Sequence, residues 1–209
     1  MVIALVLVFF FSLKLAFNVS YGPIVVVESG SMCIPYGTGC VGWNSITHPF
    51  DHTLHKGDIV IIQGVNPKDL KTNYPNSDII VFYDPNDHTA TPIIHRIISV
   101  TDVNSTLYFI TKGDGNGSPS AKWPAPVTSI DGLDKWDYLN NPPGVPQNDV
   151  VGRVVMRIPW FGWVALIMQQ SSWGLPLITG LIVLLIVVEF IIPVFRGNKE
   201  KTENRSFVD

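Results

Sequence analysis

The stretch Ile24-Val25-Val26-Val27-Glu28-Ser29-Gly30-Ser31-Met32 has the form of a strand running into a tight turn. β-Branched side chains favour extended backbone, and glycine permits the reversal that follows. The same pattern recurs along the chain. Short apolar runs bounded by Gly, Pro, Asn and Asp occupy residues 23–28, 58–63, 78–83, 92–100, 106–112 and 150–158. Runs of this length and punctuation predict strands rather than helices. Six of them in one stretch predict a mainly β domain, a folded antiparallel sheet or an open barrel. Two stretches interrupt the pattern, residues 36–55 and 117–147, and both are expected to be long loops.

The ends of the chain differ from its middle. With 209 residues, 46% of them hydrophobic, and a mean hydropathy of +0.27, the chain is too apolar for an ordinary soluble domain. The excess lies in residues 1–17, whose only charge is Lys14, and in residues 175–195, which follow Trp173. As helices these would span about 25 Å and about 31 Å, against a hydrocarbon core of ~30 Å. Each is expected to be a transmembrane helix, with Trp173 at the interface. A cleaved signal peptide fits the first run less well, because no Lys or Arg precedes it.

Two spans place both termini on one side. The tail, residues 196–209, carries Arg196, Lys199, Lys201 and Arg205, so the positive-inside rule puts that side in the cytoplasm. Residues 18–160 then form an extracytoplasmic β domain, and residues 161–174 an interfacial segment rich in Trp, Phe and aliphatics. Glu189 falls near the cytoplasmic end of the second span, where it is expected to reach water or Arg196. A net charge of −3 with no basic stripe argues against a nucleic-acid partner. The two cysteines, Cys33 and Cys40, lie on the outer side, where the compartment allows either a disulfide or a pair of inert thiols.

A serine, a histidine and an aspartate on separate strand-like runs supply the parts of a hydrolase site. Ser31 lies at the turn after the first run, His95 on the fourth and Asp114 just after the fifth. A serine hydroxyl needs a base within hydrogen-bond reach, and imidazole titrates near neutrality without special tuning. Spacing alone does not single out this trio, since a serine and a histidine 64 positions apart occur in most proteins.

What singles it out is the order of five short motifs: Ser29-Gly30-Ser31-Met32 with Pro35, Lys56-Gly57-Asp58-Ile59-Val60, Ile94-His95-Arg96-Ile97, Thr111-Lys112-Gly113-Asp114, and Gly152-Arg153-Val154. In this order they resemble the successive boxes of type I signal peptidase, in the archaeal and endoplasmic-reticulum branch where histidine replaces a general-base lysine. The resemblance covers residues 24–159. It implies a membrane-bound serine endopeptidase of the outer or lumenal face that removes signal peptides from exported preproteins. Ser31 would be the nucleophile, His95 the base and then the acid, Asp114 the supporting acid, and Ser29 with the Ser31 amide the oxyanion site. No cofactor or metal is implied. The expected partners are preproteins, the lipid bilayer and a nearby secretion translocon. The expected location is a multi-pass position in the cell membrane, or the endoplasmic-reticulum membrane in a eukaryote.

The chain departs from the family pattern in places. Met32-Cys33-Ile34-Pro35 holds one more residue than the family motif, and the second aspartate that commonly follows the first is missing from residues 115–120. Asp131 or Asp134 could fold back to replace it, or Ser118 or Ser120 could serve instead. Two rival functions come from other classes. A non-catalytic, membrane-anchored binding module would use the loops alone. A metallohydrolase would use the cluster His48, Asp51, His52 and His55, although Pro49 and Gly57 make that segment a loop with no well-spaced fourth ligand. Sequons at Asn18, Asn104 and Asn116 are outward-facing in this arrangement.

Overall fold

The computed structural model describes residues 22–36, 39–40, 53–171 and 173–191. Seven strands form one sheet in the order β1-β4-β9-β5-β6-β7-β8. These are β1 (Ile24–Val26), β4 (Ile59–Gln63), β5 (Ile79–Phe82), β6 (Ile93–Val103), β7 (Thr106–Lys112), β8 (Val145–Pro146) and β9 (Val150–Ile158). Every pairing is antiparallel. Two short strands, β2 (Pro35–Tyr36) and β3 (Gly39–Cys40), pair separately, and the Cys33–Cys40 disulfide closes that hairpin.

The mainly β expectation therefore holds, with all six expected strands present. The sequence pattern missed β8 and the short helix α1 (Trp136–Leu139), both inside the expected loop 117–147. A two-residue strand containing proline and a single helical turn carry too little periodicity to register.

Burial on both faces of the sheet explains the unbroken Ile79-Ile80-Val81-Phe82 run. Side chains alternate across a strand, and all four of these are buried. Ile79 and Val81 enter one core with Val27, Met32, Leu54, Val60, Ile62, Val151 and Val154. Ile80 and Phe82 enter a second core with Leu70, Ile97, Phe109, Trp136 and Val145. Register shifts between Ile61 and Ile62, Val81 and Phe82, and Ile97 and Ser99 bend the strands between these cores. Central β5 therefore fixes β6, and β6 carries His95.

The chain divides into two compact units after Trp163. Helix α2 (Gly162–Gln170) begins at the end of the first unit, and α3 (Gly174–Ile186) belongs to the second and continues as a π-helical turn, Val187–Ile191. Among the described residues no helix is long and apolar enough to cross a membrane. The expected second span is described only as far as residue 191: the α-helical part holds 13 residues, about 20 Å of rise, before the wider turn begins. Residues 192–195 and the whole first expected span, 1–17, lie outside the described residues.

Candidate active site

Ser31 owes its position to a β-turn. The Cys33 amide donates to the Gly30 carbonyl at 2.9 Å, leaving Ser31 and Met32 as the central residues. Met32 is buried in the first core and anchors the turn, while Ser31 stays half-exposed. The Gly115 amide then donates to the Ser31 carbonyl at 2.8 Å, so the Gly113-Asp114-Gly115 segment lies directly on the serine's backbone. The contact leaves no room for a side chain: a Cβ on Gly115 would meet the Cys33 carbonyl oxygen at 2.1 Å.

Nε2 of His95 lies 3.0 Å from the Ser31 hydroxyl oxygen. Its Nδ1 lies 2.6 Å from Oδ2 of Asp134. A carboxylate oxygen accepts, so Nδ1 carries the proton and Nε2 is left to accept from the serine. The ring packs edge-on to Phe82, which in turn packs edge-on to Trp136. His95 is buried, but its nitrogens face a serine and a carboxylate rather than aliphatic groups. Ser29 Oγ lies 3.1 Å from Ser31 Oγ, on the exposed side of the turn.

Asp134 reaches the imidazole because the end of the 116–133 loop returns to the edge of β7. Leu133 bridges to Lys112, and the positive φ of Gly132, +79°, turns the chain there. Three groups then hold Asp134. The Thr111 hydroxyl donates to its Oδ2 at 2.8 Å, and its own amide donates to Oδ2 of Asp137 at 3.2 Å and to the Thr111 carbonyl at 3.4 Å. Asp137 is itself buried and also accepts from the Thr111 amide at 3.0 Å. Among the described residues its Oδ1 has no hydrogen-bond partner. Burial first, and the nearby Asp134 charge, push the Asp137 carboxyl up to about 8, so it is protonated at neutral pH.

Asp114 sits elsewhere. Its carboxylate takes a two-pronged ion pair from Arg96, with Nε to Oδ1 and Nη2 to Oδ2 both at 2.8 Å. Both side chains are fully buried, and burial pushes the Asp114 carboxyl up against the opposing pull of the guanidinium. Arg96 also donates to the Ser77 carbonyl at 2.9 Å and stacks against Trp123. Successive side chains of a strand face opposite ways, so β6 presents His95 to Ser31 and Asp134 while Arg96 goes to Asp114. The structure thus brings Ser31, His95 and Ser29 together with Asp134, and places Asp114 one step away behind Arg96.

Of the other acid and hydroxyl candidates, Asp131 accepts from the Ser118 amide at 3.0 Å, and Ser118 and Ser120 lie 3.1 Å apart by their hydroxyls on an exposed turn. Spacing did not point to Arg96, Thr111, Trp136 or Asp137. One signal was present: an arginine inside Ile94-His95-Arg96-Ile97 is a charge in an apolar strand, which requires a buried partner. Of the alternative metal cluster, His48, Asp51 and His52 lie outside the described residues, and the His55 ring is turned to the Lys56 carbonyl at 2.5 Å. Among the described residues no group of His, Cys, Asp and Glu is arranged to hold a metal ion.

No family model and no solved structure matches the chain. Curated proteins do. The chain is 26% identical over 174 residues to the signal peptidase complex catalytic subunit of Verticillium alfalfae, covering 81% of this chain and 77% of that one. It is 26% identical over 170 residues to the corresponding subunit of Chaetomium globosum, with the same coverage. The subunit of Rattus norvegicus is 28% identical over 170 residues, covering 79% of this chain and 69% of the relative. The chain resembles the type I signal peptidases of the endoplasmic-reticulum branch. Four-fifths of the chain is far longer than the five short motifs together, and each of these relatives is named as a catalytic subunit. The likeness to signal peptidase catalytic subunits thus extends over about four-fifths of the chain.

Proposed function

We propose that this chain is a serine endopeptidase that removes signal peptides from exported preproteins, with Ser31 as nucleophile, His95 as base and Asp134 as the acid that orients the imidazole. The observation that carries this reading is the single line of contacts from Ser31 Oγ through the two ring nitrogens of His95 to Asp134, at 3.0 Å and 2.6 Å. That spacing suits a proton moving from hydroxyl to ring as the oxygen attacks a carbonyl.

In this mechanism Nε2 takes the serine proton, Oγ bonds to the scissile carbonyl carbon, and the imidazolium is stabilised by Asp134. The proton passes to the leaving amine as the peptide bond breaks, and an acyl-enzyme remains on Ser31. Water, deprotonated by the same nitrogen, releases the acyl group. The developing oxyanion falls to the Ser31 amide and the Ser29 hydroxyl, which is already beside Oγ. Asp114 acts through Arg96, fixing the strand position next to His95 and the loop on which Ser31 rests.

The substrate would lie in the cleft of about 340 Å³ beside Ser31, which Val26, Val27, Ile93, Ile94 and Trp136 help to line. Its apolar walls suit the small uncharged residues that the family accepts before a cleavage site. The location we propose is the membrane, with the β domain outside and the basic tail inside. Trp160 and Phe161, which are 52% and 68% exposed, are suited to the headgroup region. The relatives are named as subunits of a complex, and we propose that this chain too acts beside other subunits.

The test is cleavage of a preprotein by the full chain in detergent, with Ser31→Ala and His95→Ala set beside it. Both variants should lose cleavage by about three orders of magnitude or more. Full activity in either would end the reading, and a wild-type chain that binds the preprotein without cleaving it would favour the binding module.

A further inference from the structure

The cleft beside Ser31 is walled mainly by aliphatic and aromatic groups, yet one acidic side chain lines it: Glu28, three residues before the nucleophile. Glu28 follows the end of β1. Val27 is buried in the core, and Glu28 is exposed at the rim. Among the described residues no Lys or Arg lines the cleft.

The cleft also offers an unpaired strand edge. β6 pairs with β5 from Ile93 to Arg96, but its pairing with β7 begins only at Arg96, so among the described residues Ile93, Ile94 and His95 have one edge open. β1, on the other side of the cleft, is the terminal strand of the sheet. An extended peptide suits such an edge, and in an extended peptide alternate side chains face opposite ways. If the residues one and three before the scissile bond enter the apolar cleft, those two and four before it face outward, toward the rim where Glu28 stands.

We propose that Glu28 gives the enzyme a preference for preproteins with a basic residue at an outward-facing position two or four residues before the scissile bond. This rests on the proposed peptidase reading and adds a charge requirement to it. The carboxylate is exposed, so the attraction is that of a solvent-exposed ion pair, worth about twofold to fivefold per charge and weakened by salt.

The test uses the full chain in detergent with matched peptides that carry Lys, Gln or Glu at position two, and a second set varied at position four. In one set, kcat/KM should fall in the order Lys, Gln, Glu, over a span of about fourfold to 25-fold at low salt, two charges apart, that shrinks at high salt. Glu28→Gln should collapse the span, and Glu28→Lys should invert the order. Equal rates for all three peptides in both sets, or an unchanged order in Glu28→Gln, would overturn the inference while leaving the peptidase reading intact. Cleavage of the Gln peptide that persists in Ser31→Ala would instead overturn the reading and this inference with it.

Discussion

Nδ1 of His95 and Oδ2 of Asp134 lie 2.6 Å apart although 39 residues separate them in the chain. The contact depends on the returning loop edge, with Thr111 and Asp137 fixing the carboxylate from behind. Asp134→Asn would offer Nδ1 a donor or a weaker acceptor and favour the wrong tautomer. We expect kcat to fall about 10²- to 10⁴-fold with little change in thermal stability, read from preprotein cleavage and a melting curve in parallel.

Asp114→Asn should behave in the opposite way. Its partner Arg96 is fully buried, and removing one member of a buried ion pair leaves an uncompensated charge. The expected cost is about 3–5 kcal/mol of stability, visible as an earlier urea midpoint. Activity per folded molecule should fall less than in Asp134→Asn, because no Asp114 atom touches the imidazole. Arg96→Lys should not rescue the fold, since an ammonium cannot reproduce two parallel contacts at 2.8 Å.

These two carboxylates also mark how far the sequence could be followed. The strand at residues 106–112 was legible to the residue, because its β-branched and aromatic run is closed by turn residues at both ends. Ser31 and His95 were legible because each sits in a short motif with a fixed neighbour. The identity of the acid on the imidazole was not, because a loop of some twenty residues lies between Asp114 and Asp134 and only its path decides which of Asp131 and Asp134 returns. Helix α1 was hidden for a related reason. Its single turn is stabilised by Trp136, buried against Phe82 from a distant strand, and such a contact leaves no local pattern.

Gly115 supplies a steric prediction. Gly115→Ala would place a methyl 2.1 Å from the Cys33 carbonyl oxygen, a backbone atom next to a disulfide and close to the nucleophile's turn. The loop must then lift from the turn and break the Gly115 amide bond to Ser31. We expect a loss of about 1–3 kcal/mol in stability together with a sharp fall in kcat. Gly180→Ala, where nothing lies within 4 Å of the added methyl, serves as the control: it should leave kcat unchanged and, as alanine in a helix interior, raise stability by about 0.5–1 kcal/mol rather than lower it.

Asp137 sets the expected pH dependence of stability. Its carboxyl titrates at about 8 in the folded chain against an ordinary value of 3.8, so between these values the folded chain holds a proton that the unfolded chain releases. Unfolding then frees a proton, and raising the pH favours it. The stability that Asp137 contributes is thus fully present below about pH 4 and falls by up to roughly 1.4 kcal/mol per pH unit until about pH 8, beyond which it is constant. Asp137→Asn keeps an acceptor for the Thr111 and Asp134 amides but cannot ionise. Denaturant titrations at pH 5 and pH 8 should therefore show the Asn variant gaining on the wild type as pH rises. A difference that stays constant between the two pH values would mean that Asp137 is ionised in the fold, with a second negative charge behind the His95–Asp134 pair.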